Sequence, residues 1–176
     1  MTALSAEEMV TARLSLRRPT PADVARIHAL HTDRRACAHN PSDLLTDVAE
    51  AEDRYRAWDA HWRAYGFGYW TVRPRRDPQR AALGFCGVKV VRWDEVEVLN
   101  LFYRLDPAVW GAGLATEAAT AVVSWATRTV PGRPVVARVR PANVASAWVA
   151  ARAGLRRAPD LDRWGEDGLD EVFTSG

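Results

Sequence analysis

A mixed α/β fold, with antiparallel strands first and helical crossovers later, is what this sequence predicts. Three observations predict it. Strand-like runs recur along the chain, three of them consecutive between residues 68 and 105. Runs with apolar residues three and four apart flank that group and read as helices. The resulting order, β-α-α-β-β-β-α-β-α-β-β, combines hairpins with connections through helices.

The elements follow in order. ARLSLR, residues 12–17, alternates Leu14 and Leu16 with polar neighbours, as a strand does. In PTPADVARIHAL, Thr20 suits a helix cap, Pro21 the first helical position and Asp23 the acid of a capping box. Val24, Ile27 and Leu30 then carry helical spacing. A second helical region is expected from a cap at Ser42 to about Tyr65. Leu44, Leu45, Val48, Tyr55, Trp58 and Trp62 form its apolar side, and Gly66 stops it. GYWTVRP and AALGFCGVKVVRW are strands joined through the turn RRDPQR into a hairpin. EVEVLNLFYRL, residues 95–105, is the next strand. Beyond a pair of glycines, Ala115, Ala118, Ala119, Val122, Val123 and Ala126 make the apolar stripe of a helix. Pro131, Gly132 and Pro134 close it. VVARVR, residues 135–140, is a strand, and NVASAWVAARAG a short helix ending at Gly154. A polar loop around Trp164 and a last strand, EVFT, complete the chain. No repeat, low-complexity tract or linker interrupts the series. Residues 1–176 are therefore read as a single domain with its core at about residues 11–174.

Bulk properties narrow the function. A chain of 176 residues, 48% hydrophobic and 26% charged, suits one globular domain with a proper core. A net charge of +2 gives no bulk electrostatic case for a nucleic-acid partner, which leaves only a local basic patch. No run of about 18 apolar residues exists, so no membrane-spanning helix is expected. The opening MTALSAEEM is short and polar, carries Glu7 and Glu8, and lacks the apolar segment of a secretory leader. It is the one stretch expected to be poorly ordered. Cys37 and Cys86 form no metal or redox motif and fit free buried thiols in a reducing cytoplasm. His28 and His31 share a helix face, but no third ligand accompanies them, and no metal is expected.

The pair of glycines, Gly111 and Gly113, lies between a strand and a helix. Glycines let backbone approach an anion closely, and the first helical turn offers unpaired N–H groups at the positive end of the helix dipole. Two nucleotide loops fail here. A Walker loop needs Gly-Lys-Ser/Thr, whereas Leu114 and Ala115 follow Gly113. A dinucleotide fingerprint needs Gly or Ala at the sixth position, which is Thr116, and an acid some 20 residues on, where Pro131 and Gly132 stand.

With FYRLDPAVW before it, the segment WGAGLATEA resembles the coenzyme A loop of the GNAT superfamily of N-acyltransferases. It looks most like the branch containing the ribosomal-protein N-terminal-alanine acetyltransferases. Tyr103, Trp110, Gly111, Gly113, Ala115, Glu117 and Ala118 match that branch's pattern. TARLSLRRPTPAD resembles its opening strand and helix, GYWTV with LGFCGV its next two strands, and NVASAWVAARAGLRR the segment that ends the coenzyme site. The resemblance spans roughly residues 11–174. It implies an acyl-CoA N-acyltransferase fold: a twisted, mostly antiparallel sheet with flanking helices, splayed between the strands at residues 96–105 and 135–140. It also implies acetyl-CoA as cosubstrate. The pantetheine arm would lie in the wedge against Phe102, Tyr103 and Arg104. The pyrophosphate would sit on Trp110, Gly111, Ala112, Gly113, Leu114, Ala115 and Thr116. Asn143, Ser146 and Arg152 would complete the cofactor site.

Acyl transfer to an amine needs a neutral amine, a donor for the oxyanion, and a proton or hydrogen bond for the leaving thiolate. A ternary complex supplies proximity without a covalent enzyme intermediate, so Cys86 reads as core packing. Many relatives protonate the thiolate with a tyrosine at the position of Ala150. The resemblance instead points to Ser146. Asn143 would orient the pantetheine amide, cap the helix, or both. Many relatives place a glutamate base where this chain has Asn100. Asn100 and Glu97 are carried as catalytic candidates beside Ser146, although alternation puts Glu97 and Asn100 on opposite faces. Glu95 reads as a solvated strand-end charge. Glu166, Asp167, Asp170 and Glu171 are alternative acids facing the acceptor, and a water relay is a further route. Glu117 reads as an acid favoured by the helix dipole. Trp58, Trp62 and Trp70 are expected to line the acceptor site.

The expected activity is acetyl transfer to a peptide or small-molecule primary amine, by a monomer or homodimer with no nucleic-acid or membrane partner. A non-catalytic acyl-CoA-binding module of the same fold is the alternative, motivated by Ala150 and Asn100.

Overall fold

The short strands β1 (Glu8–Val10) and β2 (Leu14–Arg17) form an antiparallel pair at one edge of the sheet. They belong to a computed structural model that describes residues 7–77 and 79–176. Most of the opening stretch expected to be poorly ordered lies outside the described residues, but its last two residues, Glu8 and Met9, belong to β1. Asp23 accepts a hydrogen bond from the Thr20 backbone N–H at 2.9 Å, and the helix α1 (Val24–Thr32) begins at the next residue. Ile27 and Leu30 are its buried side.

The second helix, α2 (Val48–Tyr65), starts six residues after the expected cap at Ser42. Asp47 caps it by accepting from the Glu50 N–H at 2.9 Å, and Glu50 reaches back to the Thr46 N–H at 2.6 Å. These bonds satisfy orphan donors of the first turn. Ser42 sits instead in a 3-10 turn, Pro41–Asp43, held by Asp167: its N–H and hydroxyl donate to that carboxylate at 3.0 and 2.6 Å.

Strands β3 (Tyr69–Pro74), β4 (Gly84–Trp93) and β5 (Val96–Leu105) pair antiparallel in sequence order, the first two as the predicted hairpin. Helix α3 (Leu114–Thr129) buries Ala118, Ala119, Val122, Val123 and Ala126 of the predicted stripe. Strand β6 (Val135–Val139), helix α4 (Val144–Arg152) and the two-residue strand β7 (Arg156–Arg157) follow. The expected loop around Trp164 is a hairpin of β8 (Arg163–Gly165) and a longer last strand, β9 (Gly168–Thr174).

The sheet runs β1-β2-β3-β4-β5-β6-β9-β7, with β8 paired to β9. Among the described residues every pairing is antiparallel except β5 with β6. That parallel contact comprises only Leu99 with Val135 and Asn100 with Val136. Beyond it the two strands part, so the predicted splay is present. The fold is mixed α/β with a mostly antiparallel sheet and flanking helices.

Alternation along β5 divides its side chains between two cores. Leu99, Leu101 and Leu105 pack with α3 and β6, whereas Phe102 packs toward Ile27, Trp58 and Phe85. The three tryptophans expected at the acceptor site belong to these cores. Trp58, Trp62 and Trp70 are 5%, 3% and 0% exposed, and none reaches the cavity described below. Helical spacing turned Trp58 and Trp62 inward, and the pleat of β3 did the same for Trp70. His31 is also a core side chain. Its Nδ1 lies 2.8 Å from the Ile27 carbonyl, its ring stacks on Phe102, and burial, with help from Arg104, lowers its pKa to about 3.

Candidate functional site

Where β5 and β6 separate, a cavity of about 1200 Å³ opens between them. Residues 100–105 of β5 form one wall, and Ala137, Arg138 and Arg140 form another. The glycine loop, α4, the α1–α2 connection and the β8–β9 turn complete its lining.

The loop is built from the end of β5. Asp106 caps a 3-10 turn, Pro107–Val109, by accepting from the Ala108 N–H at 2.9 Å, and it is clamped by Arg26 at 2.5 Å. The Trp110 indole N–H donates back to the Leu105 carbonyl at 3.0 Å. Gly111 and Gly113 then take left-handed φ values of 77° and 75°, a region that costs other L-residues energy. Gly113 is the N-cap of α3 and has no side chain to occupy the first-turn amides. Those N–H groups face the cavity end at the positive pole of a helix of 16 residues, the arrangement of an anion site.

Glu117 does not reach into this site. Its carboxylate accepts from the Thr11 hydroxyl at 2.5 Å, the Arg13 backbone N–H at 2.8 Å and the Arg13 Nε at 2.6 Å. Arg13 also donates to the Ala112 carbonyl at 2.8 Å. The first turn of α3 and the loop are thus stitched to the start of β2. Burial alone would raise the Glu117 pKa, but the bonds from Thr11 and Arg13 outweigh it and hold the carboxyl below its ordinary value. A depressed folded pKa gives stability that is present above the unfolded value, about 4.3, and fades as pH falls through the folded one. Glu117→Gln is therefore expected to melt earlier than wild type at pH 7 but to lose less on acidification toward pH 3. Parallel melting-temperature curves for the two proteins would rule this role out.

Of the residues that sequence placed at the cofactor, Phe102, Tyr103, Arg104, Trp110, Gly111, Gly113, Leu114, Ala115, Thr116, Asn143, Ser146 and Arg152 all line the cavity. Ala112 does not, since its carbonyl is turned to Arg13. Asn143 caps α4, accepting from the Ser146 N–H at 3.1 Å. The Ser146 hydroxyl lies 2.6 Å from the Tyr103 hydroxyl. Ala150 is a fully buried methyl on the same helix.

The catalytic candidates divide. Asn100 lines the cavity with its Oδ1 buried and without a hydrogen-bond partner. Tyr69 is nearby: burial pushes its hydroxyl pKa up strongly, and the Asn100 side chain pulls the other way. Glu97 is not part of the cavity. It projects from the far end of β5 and pairs with Arg133 at 2.7 Å, because an odd offset from Asn100 puts it on the other face. Glu95 pairs with Arg92 at 2.8 Å. Of the tail acids, Glu166, Asp167 and Asp170 line the cavity, whereas Glu171 does not. Asp170 is buried against Arg140 at 3.3 Å. Cys86 is buried, which raises its thiol pKa and keeps it from acting as a nucleophile.

Sequence reasoning missed one wall. Arg35, His39, Asn40 and Asp43 come from the α1–α2 connection, and Asp43 is bonded to Arg104 at 2.7 Å. Nothing in that polar stretch signals a site. Trp148 was also missed. It is 62% exposed, lines the cavity, and lies 6.0 Å beneath the Arg152 guanidinium one turn on. Its Trp-x-x-x-Arg spacing was the available signal.

The sequence model of the acetyltransferase (GNAT) domain family matches residues 13–156. The uncharacterized protein YkkB of Bacillus subtilis (strain 168) is 26% identical over 164 residues, covering 89% of this chain and 90% of its own. An acetyltransferase from Agrobacterium tumefaciens str. C58 superposes with a TM-score of 0.80 at 24% identity, over 99% of this chain and 96% of that one. RimL, a ribosomal L7/L12 alpha-N-protein acetyltransferase solved with coenzyme A, superposes with a TM-score of 0.74 at 17% identity, over 94% and 95%.

Proposed function

The chain belongs to the GNAT acetyltransferase family, and from that premise we propose that it moves an acetyl group from acetyl-CoA to a primary amine by direct attack in a ternary complex. One observation supports this above others. A single cavity is lined by the amide-rich loop at α3, by the β5 edge left without a strand partner, and by the polar α1–α2 connection. Donor and acceptor can therefore meet inside one space.

In this reading the pyrophosphate rests on the amides of Gly111 and of residues 113–116. The pantetheine arm follows the open edge at Phe102, Tyr103 and Arg104, flanked by Asn143, Ser146 and Arg152. The RimL structure, of the same fold, holds coenzyme A. The acceptor enters between the α1–α2 connection and the β8–β9 turn, whose Ser42 and Asp167 are hydrogen-bonded across it. Its proton leaves toward Glu166, Asp167 and Asp170, directly or through water. Asn100, with its unpartnered Oδ1, orients the amine. Ser146 donates a hydrogen bond to the sulfur as the thiolate forms.

The acceptor is a peptide N-terminus or a small-molecule amine. Coenzyme A release from acetyl-CoA, measured against a panel of N-terminal peptides and small amines, tests the reading. Turnover far above acceptor-free hydrolysis is expected with at least one class. A second reading, a non-catalytic acyl-CoA-binding module, is carried by Ala150 and Asn100, which replace the acid and base of many relatives. Tight coenzyme A binding with no turnover across the panel would favour it.

A further inference from the structure

Tyr103 comes from β5 and Ser146 from α4, yet their side chains meet on the cavity wall. The Tyr103 hydroxyl oxygen lies 2.9 Å from the Ser146 carbonyl oxygen and 2.6 Å from the Ser146 hydroxyl oxygen. A phenol has one hydrogen, so it donates to only one of them at a time. When it donates to the carbonyl, the serine hydrogen points at the phenolic oxygen and is withheld from the cavity. When it donates to the serine hydroxyl oxygen, the serine hydrogen is released to turn outward.

We propose that Tyr103 is a positioning residue: by donating to the Ser146 hydroxyl oxygen it aims the serine hydrogen at the thioester sulfur. This rests on the acetyl-transfer reading above. In the step itself, the amine nitrogen bonds to the carbonyl carbon and the C–S bond breaks with its electron pair left on sulfur. Ser146 hydrogen-bonds that sulfur and keeps its own proton. The proton lost by the amine passes toward Glu166, Asp167 and Asp170, directly or through water, and solvent returns one to the thiolate. Two further facts support the arrangement. Asn143 pins the Ser146 N–H at 3.1 Å, so the serine has a fixed backbone. Burial, opposed by the Ser146 hydrogen bond, pushes the Tyr103 hydroxyl up to about 12, so it remains a donor at working pH. A hydrogen bond received by a hydroxyl strengthens the one it gives.

Tyr103→Phe keeps the ring and removes the hydroxyl. Measured alone and with Ser146→Ala, it should lower kcat by about tenfold while KM for acetyl-CoA stays within about twofold, as expected for misaimed rather than missing machinery. The double variant should be no slower than Ser146→Ala alone. A crystal structure of Tyr103→Phe with coenzyme A should show the Ser146 hydroxyl turned away from the sulfur. Multiplicative losses in the double variant overturn the proposal. So does a raised KM with unchanged kcat, which would mark a purely structural tie between β5 and α4. If the wild type acetylates no amine, the acetyl-transfer reading fails separately. The Ser146 rotamer in the two coenzyme A complexes still decides the pairing, and an unchanged rotamer overturns it.

Discussion

Gly113→Val is expected to lower kcat/KM for acetyl-CoA by about a hundredfold, almost entirely through KM. The reason is conformation and not space. A Cβ at this position meets only the Arg13 Nη2, at an ordinary 3.6 Å. The backbone, however, holds φ at 75°, which a β-branched L-residue adopts only at a cost of roughly 1–2 kcal/mol or more. The chain relieves that cost by rotating residue 113 out of the left-handed region. Since Gly113 is the N-cap of α3, rotation re-aims the first-turn amides on which the pyrophosphate is proposed to rest. Two charge-assisted hydrogen bonds lost at about 1.5–3 kcal/mol each amount to a hundredfold or more. In the proposed binding mode the reacting atoms lie at the other end of the pantetheine arm, so kcat should hold once the cofactor is saturating. Calorimetric titration with coenzyme A and steady-state kinetics check this. Unchanged affinity would show that the loop does not carry the pyrophosphate.

That loop was legible in the sequence because its neighbours constrain it. Trp110, Ala115 and Glu117 distinguish WGAGLATEA from two other phosphate turns, and the local strand–turn–helix order follows from short-range pattern. Glu117 was read as a dipole acid, but its partners Thr11 and Arg13 lie 104 or more residues away in sequence, and no local pattern reports them. The start of α2 was misplaced for a related reason. Ser42 and Asp47 are both good caps, and only the bond from Ser42 to Asp167 shows which of them the helix uses. The meeting of Tyr103 with Ser146, 43 residues apart in sequence, is another such long-range contact. Periodicity tells which residues of an element share a face. It does not tell which of two sheet faces, core or cavity, that side will meet.

The tryptophans turn this last point into an experiment. Trp70→Ala is expected to destabilise the fold by about 3–5 kcal/mol, the usual cost of truncating a fully buried aromatic side chain. Trp70 is wholly buried, with edge-on ring contacts to Trp62 at 5.3 Å and to Trp125 at 5.2 Å. It therefore joins α2, β3 and α3 in one packed cluster, and its removal leaves a void that these elements cannot collapse to fill. A domain of ordinary stability has about 5–15 kcal/mol in total, so the variant should melt roughly 10 °C lower or fail to accumulate folded. Were Trp70 instead a wall of the acceptor pocket, truncation would leave the melting temperature nearly unchanged and raise the acceptor KM. Trp70→Phe, which retains most of the volume, separates the two cases even if the alanine variant does not fold. An intermediate loss of stability with unaltered acceptor KM is the expected result. A shifted acceptor KM at wild-type stability would return Trp70 to the pocket.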